Sequence, residues 1–172
     1  MDRIVAFYSG GADDRGRSLA AILAWPDDRL ESVHDYIQWV FPTRARSGVN
    51  PSAPLVTGET ISAFTSPDLR DRLRRALNRM LRFYGLTSGT GAAGRVEITI
   101  DPLRFADCSR NWLHPGNHNH LRLTRIIESL HTLGVEGEAA ALQRCLMTDI
   151  YEGPGRGRIT RQTYAYWSEA IR

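Results

Sequence analysis

Apolar residues recur every three or four positions along most of this chain, the period of a helix with one buried face. Leu69, Leu73, Leu77, Met80 and Tyr84 make the longest such stripe. Ser66-Pro67-Asp68 before it is a start signal and Gly85 a stop, so the pattern predicts one long helix between them. Upstream, the Ser18 hydroxyl can accept from a free first-turn amide and cap a short helix over residues 19–25. Pro26 suits a first helical position, with Asp27, Asp28 and Glu31 at the positive end of the helix dipole. That second helix is predicted to run to about residue 40, with Leu30, Val33, Ile37 and Phe41 on its core face.

Residues 42–56 hold Pro42, Gly48, Asn50, Pro51 and Pro54 and read as a long surface loop. Thr57 caps a short helix to residue 64. Residues 86–94 are glycine-rich, and Val96, Ile98 and Ile100 alternate with Glu97 and Thr99, a short strand with no evident partner. Further helices are predicted from about 117 to 134 and from 136 to 151, paired as an antiparallel hairpin. A last helix is capped by Thr160, with Tyr164, Trp167 and Ile171 facing inward. The sum is an all-α fold: a single irregular domain over residues 1–172 with about seven helices. Residues 1–17 form an N-terminal extension in this reading, and 86–101 a flexible loop with one short strand or hairpin.

Composition narrows the class. A chain of 172 residues with 42% hydrophobic content is one ordinary globular domain, able to bury a core without staples. No apolar run approaches the ~20 residues needed to span a bilayer, and the short acidic N-terminus is no signal peptide, so a cytoplasmic location is expected. Cys108 and Cys145 lack metal-ligand spacing and are expected to stay reduced. All 22 basic residues are arginine, a bias expected of a GC-rich bacterial genome, and the net charge of +3 is too mild to indicate nucleic acid.

Gly89-x-Gly91-x-x-Gly94 matches the dinucleotide-binding pattern in letters only, because a helix precedes it and a strand follows, and no cofactor is expected. His114, His118 and His120 are close in sequence, but residues 118 and 120 of a helix point about 200° apart, which argues against one metal. With Asn117 near an N-cap, the amides of residues 118–120 face outward, and His118, Arg122 and Arg125 share one side, an arrangement suited to an anion. Asn119 falls in line with Leu123, Ile126 and Leu130, on the core side. His34 and Gln38 are neighbours one turn apart, while Trp39 sits off the apolar stripe near Asp35. Were the two helices to meet, His34, Gln38, His118 and His120 would line one polar pocket. Arg72, Arg75, Arg79 and Arg82 form a basic stripe, but acids one turn before two of them favour a solvated face over nucleic acid.

Three blocks, His34-Asp-Tyr-Ile-Gln-Trp-Val-Phe-Pro42, Asn50-Pro-Ser-Ala-Pro-Leu55 and Asn117-His-Asn-His-Leu-Arg122, resemble in order the conserved region of the opioid growth factor receptor family. The likeness runs from about residue 22 to 167. It implies peptide binding, since the vertebrate member is named for binding Met-enkephalin, and it implies no catalytic mechanism. The vertebrate associations with membrane and nucleus are not carried over. The expectation is a non-catalytic module engaging a peptide or protein partner through His34, Asp35, Gln38, Trp39, Asn50, Asn117, His118, Asn119, His120 and Arg122. The alternatives are a metal-dependent or hydrolytic enzyme centred on His114, His118 and His120, and nucleic-acid binding through the arginine-rich helix.

Overall fold

The computed structural model describes residues 1–171. Among them are ten α-helices and a two-stranded antiparallel sheet, which corrects the expected all-α fold of about seven helices. Three additions account for the helix count. The first is α1 (Arg3–Tyr8), inside the stretch read as an extension. Asp2 caps it by accepting from the amides of Ile4 and Val5, and its other carboxylate oxygen accepts from Thr57 and Thr60. Ile4, Phe7 and Tyr8 are fully buried, and the Tyr8 hydroxyl donates to the Val40 carbonyl.

After α2 (Leu19–Leu23), capped by Ser18, the predicted helix from 26 to 40 is two: α3 (Asp27–Ser32) and α4 (Ile37–Val40). The break lies at Val33, which is extended. Its cause is non-local. The Leu30 carbonyl, which a continuing helix would pair with the amide of residue 34, accepts instead from the Tyr36 hydroxyl at 3.0 Å and from Arg122 at 2.8 Å. Arg122 also takes the Val33 carbonyl at 2.8 Å, and Asn50 the Asp35 carbonyl at 2.9 Å.

Residues 41–57 form the expected loop, and α5 (Gly58–Ala63) follows with Thr57 and Thr60 capping each other. The long α6 (Pro67–Tyr84) buries Leu69, Leu73, Leu77, Met80 and Tyr84, and ends at Gly85 in the left-handed conformation. Next come β1 (Leu86–Thr90) and β2 (Val96–Ile100), with Leu86 opposite Ile100 and Ser88 opposite Ile98. β1 escapes a sequence reading because Leu-Thr-Ser-Gly-Thr carries one apolar residue and no alternation. Here Gly89 lies in β1 and Gly91 in the turn that joins it to β2, so a hairpin strand and not an α-helix follows the motif.

The third added helix is α7 (Phe105–Cys108). α8 (Asn119–Thr132) and α9 (Glu136–Arg144) pair closely, the latter continuing into a π-helical turn, Cys145–Ile150. α10 (Arg161–Glu169), capped by Thr160, lies on α8 and buries Trp167. No helix among the described residues is long and apolar enough to cross a membrane.

Candidate functional site

The end of α3 meets the start of α8. Glu31 joins them: one carboxylate oxygen pairs with His118 Nε2 at 3.0 Å, and the other accepts from Asn119 Nδ2 at 3.0 Å. The His34 and His118 rings lie edge to face with centroids 5.0 Å apart. Arg122, 5% exposed, donates to the carbonyls of Leu30 and Val33, to Asn119 Oδ1, and to His34 Nδ1 at 3.4 Å. Because a guanidinium only donates, His34 Nδ1 accepts and its proton sits on Nε2. His118 donates from Nε2 to Glu31 by the same logic. Burial holds His118 below the ordinary imidazole value; Glu31 opposes this, and Arg122, His34 and His114 add to it.

Between α4, the loop after it, α8 and α10 lies a cleft of about 390 Å³. His34, Gln38, His118, Arg122 and Arg125 line it on the polar side. Gln38 is 4% exposed; its Nε2 donates to the His34 carbonyl and to Ser47 Oγ, both at 3.3 Å. Ser47 Oγ also accepts from the amides of Val49 and Asn50, which fixes the loop that turns Val49 outward. Ile37, Val49, Leu121 and Tyr166 make the apolar side.

The other sequence candidates go elsewhere. His120 is turned into the core, donating to the Trp112 carbonyl at 2.8 Å and packed between the Trp112 and Trp167 rings. Its burial lowers its pKa. Trp39, 2% exposed, packs on Phe7 under the Arg3 guanidinium. Asp35 pairs with Arg15 and Arg17 at 3.3 and 2.8 Å, outside the cleft lining. Asn50 braces the loop by its bond to the Asp35 carbonyl. Asn119 is fully buried, accepting from the Tyr84 hydroxyl at 3.3 Å.

Asn117 itself satisfies the helix start. Its side chain accepts from the Asn119 amide at 2.9 Å and its carbonyl from the His120 amide at 3.1 Å. Two of the three amides expected to face an anion are therefore taken, while His118, Arg122 and Arg125 do share one side. His114 is exposed and bonds Asn117, so His114, His118 and His120 point three ways, and no metal-holding group of three occurs among the described residues. On α6, Arg72 donates to the Tyr8 carbonyl, and Arg79 to the Trp25 carbonyl and Asp27.

Sequence reasoning missed Glu31, whose role depends on a partner 88 residues away, and the apolar wall. Leu121 carried a readable signal, as an apolar residue off the buried stripe of α8. Val49 and Tyr166 carried none.

Compared with known proteins, residues 22–172 match the sequence profile described as the opioid growth factor receptor conserved region. The chain is 42% identical over 154 residues to the opioid growth factor receptor of Rattus norvegicus, covering 86% of this chain and 25% of that protein. For the Homo sapiens receptor the identity is 40% over 157 residues, with 86% and 22% covered. Opioid growth factor receptor-like protein 1 of Mus musculus is 33% identical over 155 residues, with 86% and 31% covered. The chain thus spans between about a fifth and a third of the length of these relatives. No solved structure matches it significantly.

Proposed function

This chain belongs to the opioid growth factor receptor family, and from that premise we propose that it is a non-catalytic module binding a peptide or protein segment in the cleft between α4 and α8. One observation carries the reading. Of the five large hydrophobic side chains exposed among the described residues, three (Val49, Leu121 and Tyr166) line this one cleft. Exposed apolar groups gathered beside polar ones mark interaction sites, whereas scattered ones mean nothing. The relatives' name, opioid growth factor receptor, supports a binding role. We also propose a cytoplasmic setting, in which Cys108 and Cys145 stay free thiols.

The test is selection from a phage-displayed random heptapeptide library on the full chain, with Leu121→Arg as a cleft-blocked control. Enriched peptides should raise the melting temperature of the wild type and not of the variant. If no enriched peptide loses binding on that substitution, the cleft is not the site.

A further inference from the structure

We infer that the cleft selects segments in which an apolar side chain stands beside a carboxylate, an inference that rests on the cleft being a peptide site. The apolar part has a fixed place: Val49, Leu121 and Tyr166 are 66, 62 and 42% exposed around Ile37, which is 3% exposed. A side chain seated there removes all three from water.

The carboxylate preference follows from charge. Arg46, Arg122 and Arg125 line the cleft against a single acid, Glu128. Arg122 is the telling member, because it is buried and every group it bonds is neutral: the Leu30 and Val33 carbonyls, the Asn119 amide oxygen and the His34 ring nitrogen. Dipoles satisfy its hydrogen bonds, and Glu31, the acid at this junction, is bonded to His118 and Asn119 rather than to the guanidinium, in surroundings that screen charge less than water does. Arg125 is anchored on the Phe41 carbonyl and Thr43 hydroxyl at 3.3 and 3.2 Å, with Glu128 drawing on its charge. These anchors fix the guanidinium groups before any ligand arrives, so little side-chain entropy is lost on binding.

Gln38 adds a third, independent feature. Its Nε2 has two partners, but its buried Oε1 has none among the described residues, and the side chain lines the cleft. A buried acceptor left unpaired costs free energy that a donor from outside recovers. A ligand backbone N–H is the donor that every peptide brings. Acceptor, cations and apolar wall together describe a short segment lying with its backbone over Gln38, its apolar side chain on Leu121 and its carboxylate toward Arg46 and Arg125.

The carboxylate can come from an Asp or Glu side chain or from the peptide's own C-terminus. Peptides enriched on the full chain should therefore carry an acid, or end, next to a Leu, Phe or similar residue. Each acidic hit is then synthesised with that acid as Asp, Asn or Lys, with free and amidated C-termini, and titrated by fluorescence anisotropy. The Asp form should bind about tenfold tighter than the Asn form, with Lys weakest, and the gap should narrow as salt rises. Arg46→Glu, on an exposed loop residue bonded only weakly to the Pro51 carbonyl at 3.5 Å, should invert the Asp and Lys ranking without moving the melting temperature. Gln38→Met should weaken all three forms together. Loss of binding on amidation alone assigns the C-terminus as the source; retention assigns the side chain. Enriched peptides that need Leu121 yet bind equally as Asp, Asn and Lys would overturn the charge selectivity and leave the peptide site standing. Failure to enrich any Leu121-dependent peptide overturns both.

Discussion

An imidazole takes up a proton easily only where the new charge meets water or a carboxylate, and His120 is placed where it meets neither. His120 donates from Nε2 to the Trp112 carbonyl, so the nitrogen left to be protonated is Nδ1, buried and unpartnered among the described residues. His118 has Glu31 in its favour but Arg122 and His34 against it, and burial outweighs Glu31. Both are held below the ordinary value of 6.5, chiefly by burial. The unfolded chain therefore binds these protons first as pH falls. Above 6.5 the two cost nothing; below it stability drops, until the folded-state values are passed as well. Urea midpoints taken from about pH 8 down to about pH 5 should decline, and His120→Asn should flatten part of that slope. Asp2, held below 3.8 by its hydrogen bonds, acts only in a more acid window, so the two losses are separable. An unchanged slope in the variant would sink the assignment to His120.

At the level of elements, what could be read from sequence was what is settled locally. Ser18, Thr57, Thr160 and Gly85 end their helices by their own chemistry, and the stripe of α6 fixes its buried face. The gap between α3 and α4 could not be read, because Leu30 and Val33 give their carbonyls to a guanidinium 92 and 89 residues away. Nor could β1, which is a strand only because β2 pairs with it. Gly85 shows how firmly one local signal is set. Its φ is +77°, and a Cβ there would stand 2.7 Å from the Phe105 Cα, which is backbone and cannot swing away. Gly85→Ala should destabilise the fold by roughly 2–4 kcal/mol, from a strained backbone plus a forced shift of α7. Denaturant unfolding measures this. A cost under about 0.5 kcal/mol would mean that α7 yields freely.

For the molecule as a whole, helix faces put His34 and His118 on sides that could meet but did not say that the helices would, and the apolar wall of the cleft likewise needed three segments brought together by the fold. The same holds for the N-terminal residues. Residues 1–17 read as an extension and precede the family match, which begins at residue 22, yet Phe7 is fully buried with its ring 5.5 Å from that of Trp39 and 5.8 Å from that of Tyr8. Phe7→Ala should cost about 3–5 kcal/mol, the usual range for a vacated core phenylalanine. Chemical denaturation monitored by tryptophan fluorescence tests it, and a near-neutral result would make α1 an ornament on a core complete without it.

The three short blocks that carry the family likeness are not separate. Asn50 of the second holds the backbone of Asp35 in the first, and Arg122 of the third holds Val33 and His34 at the edge of the first. Exchanged singly between two relatives, a block would arrive without the groups it was shaped to meet, and the graft would fail for reasons invisible in its own letters. Moved as a set, with Glu31 included, the joint travels whole, so any chimera made to trade binding preferences within the family has to be cut around it.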